Sequence, residues 1–92
     1  MVTIYVEQWH IDKGKPAECG SCPVALAVKD VLRESFLVNV GMCTVAVFTD
    51  DGSQSWGDDL PEVANRFIDR FDLGMRVSPF SFELPIPEEF LR

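Results

Sequence analysis

The stretch FLVNVGMCTVAVFTDDGSQSW, residues 36–56, decides the architecture. Phe36 to Val40 reads as a strand. Gly41 turns it into Cys43–Thr49, a second β-rich run. Asp51-Gly52 is a hairpin signal, because a type I′ turn needs positive φ at both central residues. Ser53 to Trp56 then returns as a short strand. Three successive strands joined by turns leave little room for an all-helical chain.

Outward from this stretch, the remaining elements follow from periodicity. Toward the N-terminus, Val2, Ile4 and Val6 alternate with Thr3, Tyr5 and Glu7, the pattern of a half-buried strand. Gln8 to Gly14 turns once, and Lys13 to Gly20 is a loop punctuated by Gly14, Pro16 and Gly20. A helix starts near Ser21–Pro23, where proline suits the first turn. Val24, Val28, Val31 and Leu32 share one face of it. On the other side, Asp59 is placed to cap a helix with Pro61 in its first turn. Val63, Phe67 and Phe71 form its stripe, Ala64 and Ile68 widen it, and Gly74 is the expected left-handed terminator. Phe80, Phe82 and Leu84 alternate with Ser81 and Glu83 in a last strand. Pro79 puts that strand at an edge or at the start of its pairing. Pro85 and Pro87 end it, leaving Glu88 to Arg92 as a tail.

The order β-α-β-β-β-α-β is that of an α+β domain, residues 1–92. It predicts an antiparallel or mixed β-sheet of four to five strands with two helices packed on one face, near the ferredoxin-like plan. With 47% hydrophobic and 25% charged residues, the composition is globular. No apolar run is long enough for a transmembrane helix. The first residues have no basic region and meet an acid at Glu7, unlike a signal peptide. Three cysteines are an odd number, which argues against a secreted disulfide framework and for a reducing, cytosolic setting.

Charge is the main functional signal. The net charge is -7, and Glu34, Asp50, Asp51, Asp58, Asp59 and Glu62 fall in an interval, Glu34 to Asn65, without a single Lys or Arg. Such a field attracts a basic protein surface and repels nucleic acid. Only eight Lys and Arg are present, and they form no basic cluster in the sequence. The aspartate pairs do not fit a calcium loop, which alternates its ligands. Asp51 has turn chemistry and Asp59 a capping role, but neither removes its charge.

Cys19-Gly20-Ser21-Cys22 stands at a helix N-terminus, where a thiol pKa is lowered as in a redox pair. A polar loop, however, replaces the buried strand that leads into a thioredoxin-type motif. Zinc is a second possibility, with Cys19, Cys22, Cys43 and His10 as ligands, although His10 and Cys43 are single and scattered. The third reading is packing: Cys22 and Cys43 as small buried apolar groups. Cys19 and Cys22 can also close a local disulfide under oxidising conditions. The lone His10, beside Trp9, reads as a surface or boundary residue. No catalytic residues and no cofactor are expected.

Cys19 and Cys22-Pro23-Val24-Ala25-Leu26-Ala27, then Leu60-Pro61 with Val63 and Phe67, then Pro79-Phe80-Ser81-Phe82-Glu83-Leu84 resemble a group of short acidic proteins encoded by bacteriophages and prophages. Within that group the chain is similar to anti-CRISPR inhibitors of type I systems that imitate DNA. The resemblance implies a protein of the host bacterial cytoplasm that binds a CRISPR effector complex on its basic DNA-binding surface. It implies no enzymatic activity, while the scarcity of Lys and Arg argues against direct nucleic-acid binding and the lack of a long apolar run against a membrane partner. The acidic residues from Glu34 to Glu62 would be the binding surface. Two alternatives stand beside it. One is a metal-binding or redox accessory protein centred on Cys19 and Cys22. The other is a structural or regulatory phage protein that pairs through an exposed edge strand at Val77–Leu84.

Overall fold

The computed structural model describes residues 1–41 and 43–92. Its elements are β1 (Val2–Val6), α1 (Gln8–Lys13), α2 (Pro23–Val31), β2 (Phe36–Val40), β3 (Thr44–Thr49), β4 (Ser55–Asp59), α3 (Glu62–Asp72) and β5 (Phe80–Leu84), followed by a 3-10 turn at Glu88–Phe90. Alternation does what it predicts. Ile4 and Val6 of β1, and Phe82 and Leu84 of β5, turn inward, as do Phe36, Val38 and Val40 of β2. Glu7 leaves the first strand instead of extending it. Its N–H donates to His10 Nδ1 at 2.8 Å, which satisfies a donor at the start of α1.

The α+β class holds, with three helices rather than two. The single sheet does not form: the strands make two antiparallel sheets, β1-β5 and β2-β3-β4. Helix α2 packs against both β1 and β2, so the sheets meet across a helix and not edge to edge. The cause lies in its apolar stripe. Val24, Ala27, Val28 and Leu32 are each at most 1% exposed, which requires apolar partners on both sides. Full burial of each Val or Leu is worth about 1.5–3 kcal/mol. Pairing β1 into the β2 sheet would leave part of that stripe uncovered.

Two turns show how local chemistry sets the frame. Helix α3 ends at Gly74, with φ +77°. The Met75 N–H donates to the Arg70 carbonyl and the Gly74 N–H to the Phe71 carbonyl, a complete Schellman motif. The β3–β4 connection differs from its expectation. Thr49 and Gln54 close it, so the loop is Asp50 to Ser53 rather than two residues, and Gly52 is its one positive φ, at +74°. The Gly52 N–H donates to the Thr49 carbonyl at 3.0 Å, and a four-residue loop on such a turn needs only one left-handed residue. β4 consequently spans Ser55–Asp59 and not Ser53–Trp56.

The segment Glu88–Arg92 is no tail. Phe90 is 4% exposed and stacks on Phe36 with ring centroids 4.5 Å apart. Leu91 bridges to Leu32, and the Arg92 Nε donates to the Leu32 carbonyl at 2.8 Å. Two prolines turn the chain after β5, but they turn it onto the end of α2.

Candidate functional site

All six acidic residues of the Glu34–Glu62 interval are exposed. They do not form one patch. Strand β4 is a free edge of its sheet, and the carboxylates gather near its two ends. Asp50 and Asp51 occupy the hairpin tip. Glu34 stands at the same end of the sheet, because Phe36 is paired with Thr49. Asp58 and Asp59 lie at the other end, opposite Val45 and Thr44, with Glu62 just beyond in the first turn of α3. Between the ends run the four residue steps of β4, about 13 Å at the usual strand rise.

The individual carboxylates differ in how they are held. Asp51 is fixed by the loop: it accepts from the Ser53 N–H at 3.0 Å and from the Thr49 hydroxyl at 2.9 Å. These bonds, with the Ser53 N–H foremost, hold its carboxyl below the usual carboxylate range. Asp58 accepts from the Asp59 N–H at 2.8 Å. Glu62 meets Arg66 at 2.8 Å in an exposed pair. Asp59 is not the cap of α3. The N-cap is Pro61, without a side-chain bond, and Asp59 belongs to β4. Main-chain pairing runs on to Leu60, whose N–H donates to the Cys43 carbonyl at 2.9 Å. That ladder keeps Asp59 extended and out of capping position.

The cysteines and His10 are not gathered into a centre. Among the described residues, no three His, Cys, Asp or Glu side chains converge as a metal site would require. All three cysteines are free. Cys22 is buried and caps α2, its sulfur accepting from the Ala25 N–H at 3.5 Å. Burial pushes its thiol up, and this outweighs the lowering by the amides at the helix start. That is opposite to the activation a redox pair needs. Cys19 and Cys43 are exposed, so the packing role expected of Cys43 is not met. Cys43 sits in the β2–β3 connection with φ +66°, outside the strands whose inward residues build the core. Cys19 and Cys22 share a cleft of about 250 Å³ with Glu18, Asp69 and Asp72.

His10 is a core residue, 1% exposed, and not a surface one. Its Nδ1 accepts from the Glu7 N–H, and its Nε2 lies 2.7 Å from Asp30 Oδ2 on α2. The accepting Nδ1 places the ring hydrogen on Nε2, donating to Asp30. Both ring nitrogens are thereby used, Nδ1 to cap the start of α1 and Nε2 to tie α1 to α2, which leaves none for a metal or a substrate.

No protein-family model, curated protein or solved structure matches this chain.

The fold also assembles a group that sequence reasoning passed over. Arg66, Arg70 and Arg76 line one groove of about 370 Å³ together with Val63, Phe67 and Phe80. The available signal was the crowding of three of the eight cationic residues into positions 66–76.

Among the described residues, no helix is long and apolar enough to cross a membrane.

Proposed function

We propose that this chain is a small non-catalytic protein that binds and inhibits a host nucleic-acid-binding complex, by laying the acidic edge of its three-stranded sheet on a basic surface. In its most concrete form the target is a type I CRISPR interference complex, and the protein is an anti-CRISPR acting in the bacterial cytoplasm. The observation that carries the reading is the free edge β4, with exposed carboxylates at both ends and no cation in the sequence from Glu34 to Asn65. The short hairpin and the start of α3 fix those charges on rigid elements. The span of β4, about 13 Å, is near the axial rise of four nucleotides in one DNA strand. Lys and Arg that normally hold a DNA backbone would meet carboxylates at comparable separation. The likeness of the Cys19–Ala27, Leu60–Phe67 and Pro79–Leu84 stretches to phage proteins of this kind supports the same reading.

The test combines charge reversal with competition. Asp50, Asp51, Asp58 and Asp59 are changed together to Lys, and inhibition of DNA binding by a purified type I interference complex is measured. All four residues are exposed, so the variant should stay folded, with a modest fall in melting temperature from the lost Asp51 turn bonds, while inhibition is lost. Raising salt should slow association of the wild type far more than it speeds dissociation, because exposed charges are screened over about 8 Å at physiological ionic strength. Target DNA bound beforehand should block the protein. Full inhibition by a folded quadruple variant, or a ternary complex with DNA formed at a salt-independent rate, sinks the proposal.

A further inference from the structure

The outer side of α3 is sorted by charge. Asp69 and Asp72 line the cleft beside Cys19 and Cys22. Arg66 and Arg70, four residues apart and hence neighbours on the helix surface, face a different hollow, which Arg76 joins from the following loop. A chain with net charge -7 thus places three of its eight cations on one groove. Only Arg66 has an ionic partner, Glu62, and both side chains of that pair are largely in solvent. Such a pair is worth little and yields easily to a competitor. Among the described residues, Arg70 and Arg76 make no ion pair.

The wall of the groove is apolar. Val63 is 49% exposed, although it stands in the periodic stripe of its helix. Phe67 packs on Phe80 with centroids 4.6 Å apart, and both line the hollow. A neighbouring depression shares Val63 and runs past Pro61 to Phe82, Glu83 and, on β1, Thr3. One side of this path is β5, whose backbone pairs only with β1. Among the described residues, no backbone partner takes the N–H and C=O groups along its other edge.

We infer that this groove is a docking site for a short, extended, acidic segment of a partner polypeptide. The three arginines would receive its carboxylates, the Val63–Phe67–Phe80 wall its apolar side chains, and the free edge of β5 its main chain. A nucleic acid fits less well, because it has no peptide N–H or C=O to pair with a strand edge. Neither the acidic edge β4 nor its target is needed for this site.

The probe is a fluorescein-labelled heptapeptide of alternating glutamate and phenylalanine, followed by fluorescence anisotropy and by amide chemical-shift mapping. The peptide should saturate, and shifts should concentrate at Arg66, Arg70, Arg76 and Phe80–Glu83. The double variant Arg70→Glu with Arg76→Glu should weaken binding by about tenfold or more while the protein stays folded, since both side chains are exposed and the lost helix-end charge at Arg70 lowers the melting temperature only slightly. A heptapeptide with lysine for glutamate should not bind. Absence of saturation, equal binding by the double variant, or equal binding of the lysine peptide overturns the inference. So does tighter binding of a labelled ten-thymidine oligonucleotide. A concentration-dependent doubling of mass that the double variant abolishes would also overturn it, by making the occupant a second copy of the chain.

Discussion

Replacing Phe90 by alanine should remove a large fraction of the total stability. The ring is 4% exposed and stacked on Phe36, which is itself 2% exposed. Phe→Ala at such a position costs about 3–5 kcal/mol, from lost transfer energy and the cavity left behind. A domain of 92 residues has a net stability of roughly 5–14 kcal/mol at 0.05–0.15 kcal/mol per residue. The variant should therefore approach the unfolding threshold. At about 4–8 °C per kcal/mol for a domain of this size, its melting temperature should fall by at least about 12 °C. Circular dichroism during heating reads that shift, and urea titration should move the midpoint with little change in slope. Arg92→Ala is the comparison. Its Nε donates to the Leu32 carbonyl, a single bond worth about 1 kcal/mol, so its melting temperature should fall much less. If Phe90→Ala melts within about 4 °C of the wild type, the ring is not packed on Phe36 and the end of the chain is the loose tail its sequence suggests.

Thiol chemistry and pH provide the other tests. Against a thiol reagent, Cys19 and Cys43 should react at once and Cys22 only as the protein unfolds, because Cys22 is buried and its thiol is raised. A raised folded pKa contributes stability that is fully present below the ordinary thiol value of 9.0 and lost as pH rises through the higher folded value. Alkaline titration should accordingly destabilise the wild type more than Cys22→Ala, and parallel curves would contradict the burial of the thiol. For Asp51 the sign is reversed. Its folded pKa lies below the ordinary 3.8, so its contribution is present above that value and fades as pH falls through the lower folded one. The Ser53 amide resonance should report this titration, with a midpoint below 3.8, and Asp51→Ala should abolish it. A midpoint at or above the ordinary value would mean that the loop does not hold the carboxylate.

Much of the fold was legible because it is local. Val2, Ile4 and Val6 declare a strand by period two, and Gly74 declares a helix end by its freedom at positive φ. What alternation cannot name is a strand's partner, so it predicts one sheet of four to five strands where the structure has two. Nor can a short segment announce contacts made far away in sequence. Phe90 stacks on Phe36, and the buried His10 bonds to Asp30. Asp59 carries the chemistry of a helix cap, but the ladder between β3 and β4 claims it first. The acidic interval was readable in full as exposed charge. Its division between the two ends of β4 was not, since that depends on where the hairpin turns. Arg66, Arg70 and Arg76 became a group only when β5 was laid beside α3.

The pairing of β1 with β5 has a consequence in time. Val2 lies opposite Leu84, so the first strand leaves the ribosome about 80 residues ahead of the strand it needs. At about 5–20 residues per second, that is a wait of roughly 4–16 s. In the same interval β2, β3 and β4 can close through short loops as each emerges. Until β5 emerges, Ile4 and Val6 lack the strand that pairs with theirs, and α2, the helix packed on β1, follows only after the intervening loop. A nascent chain of this protein thus has one vulnerable element and one defined period of vulnerability, and a chaperone or protease that competes with its folding will find β1.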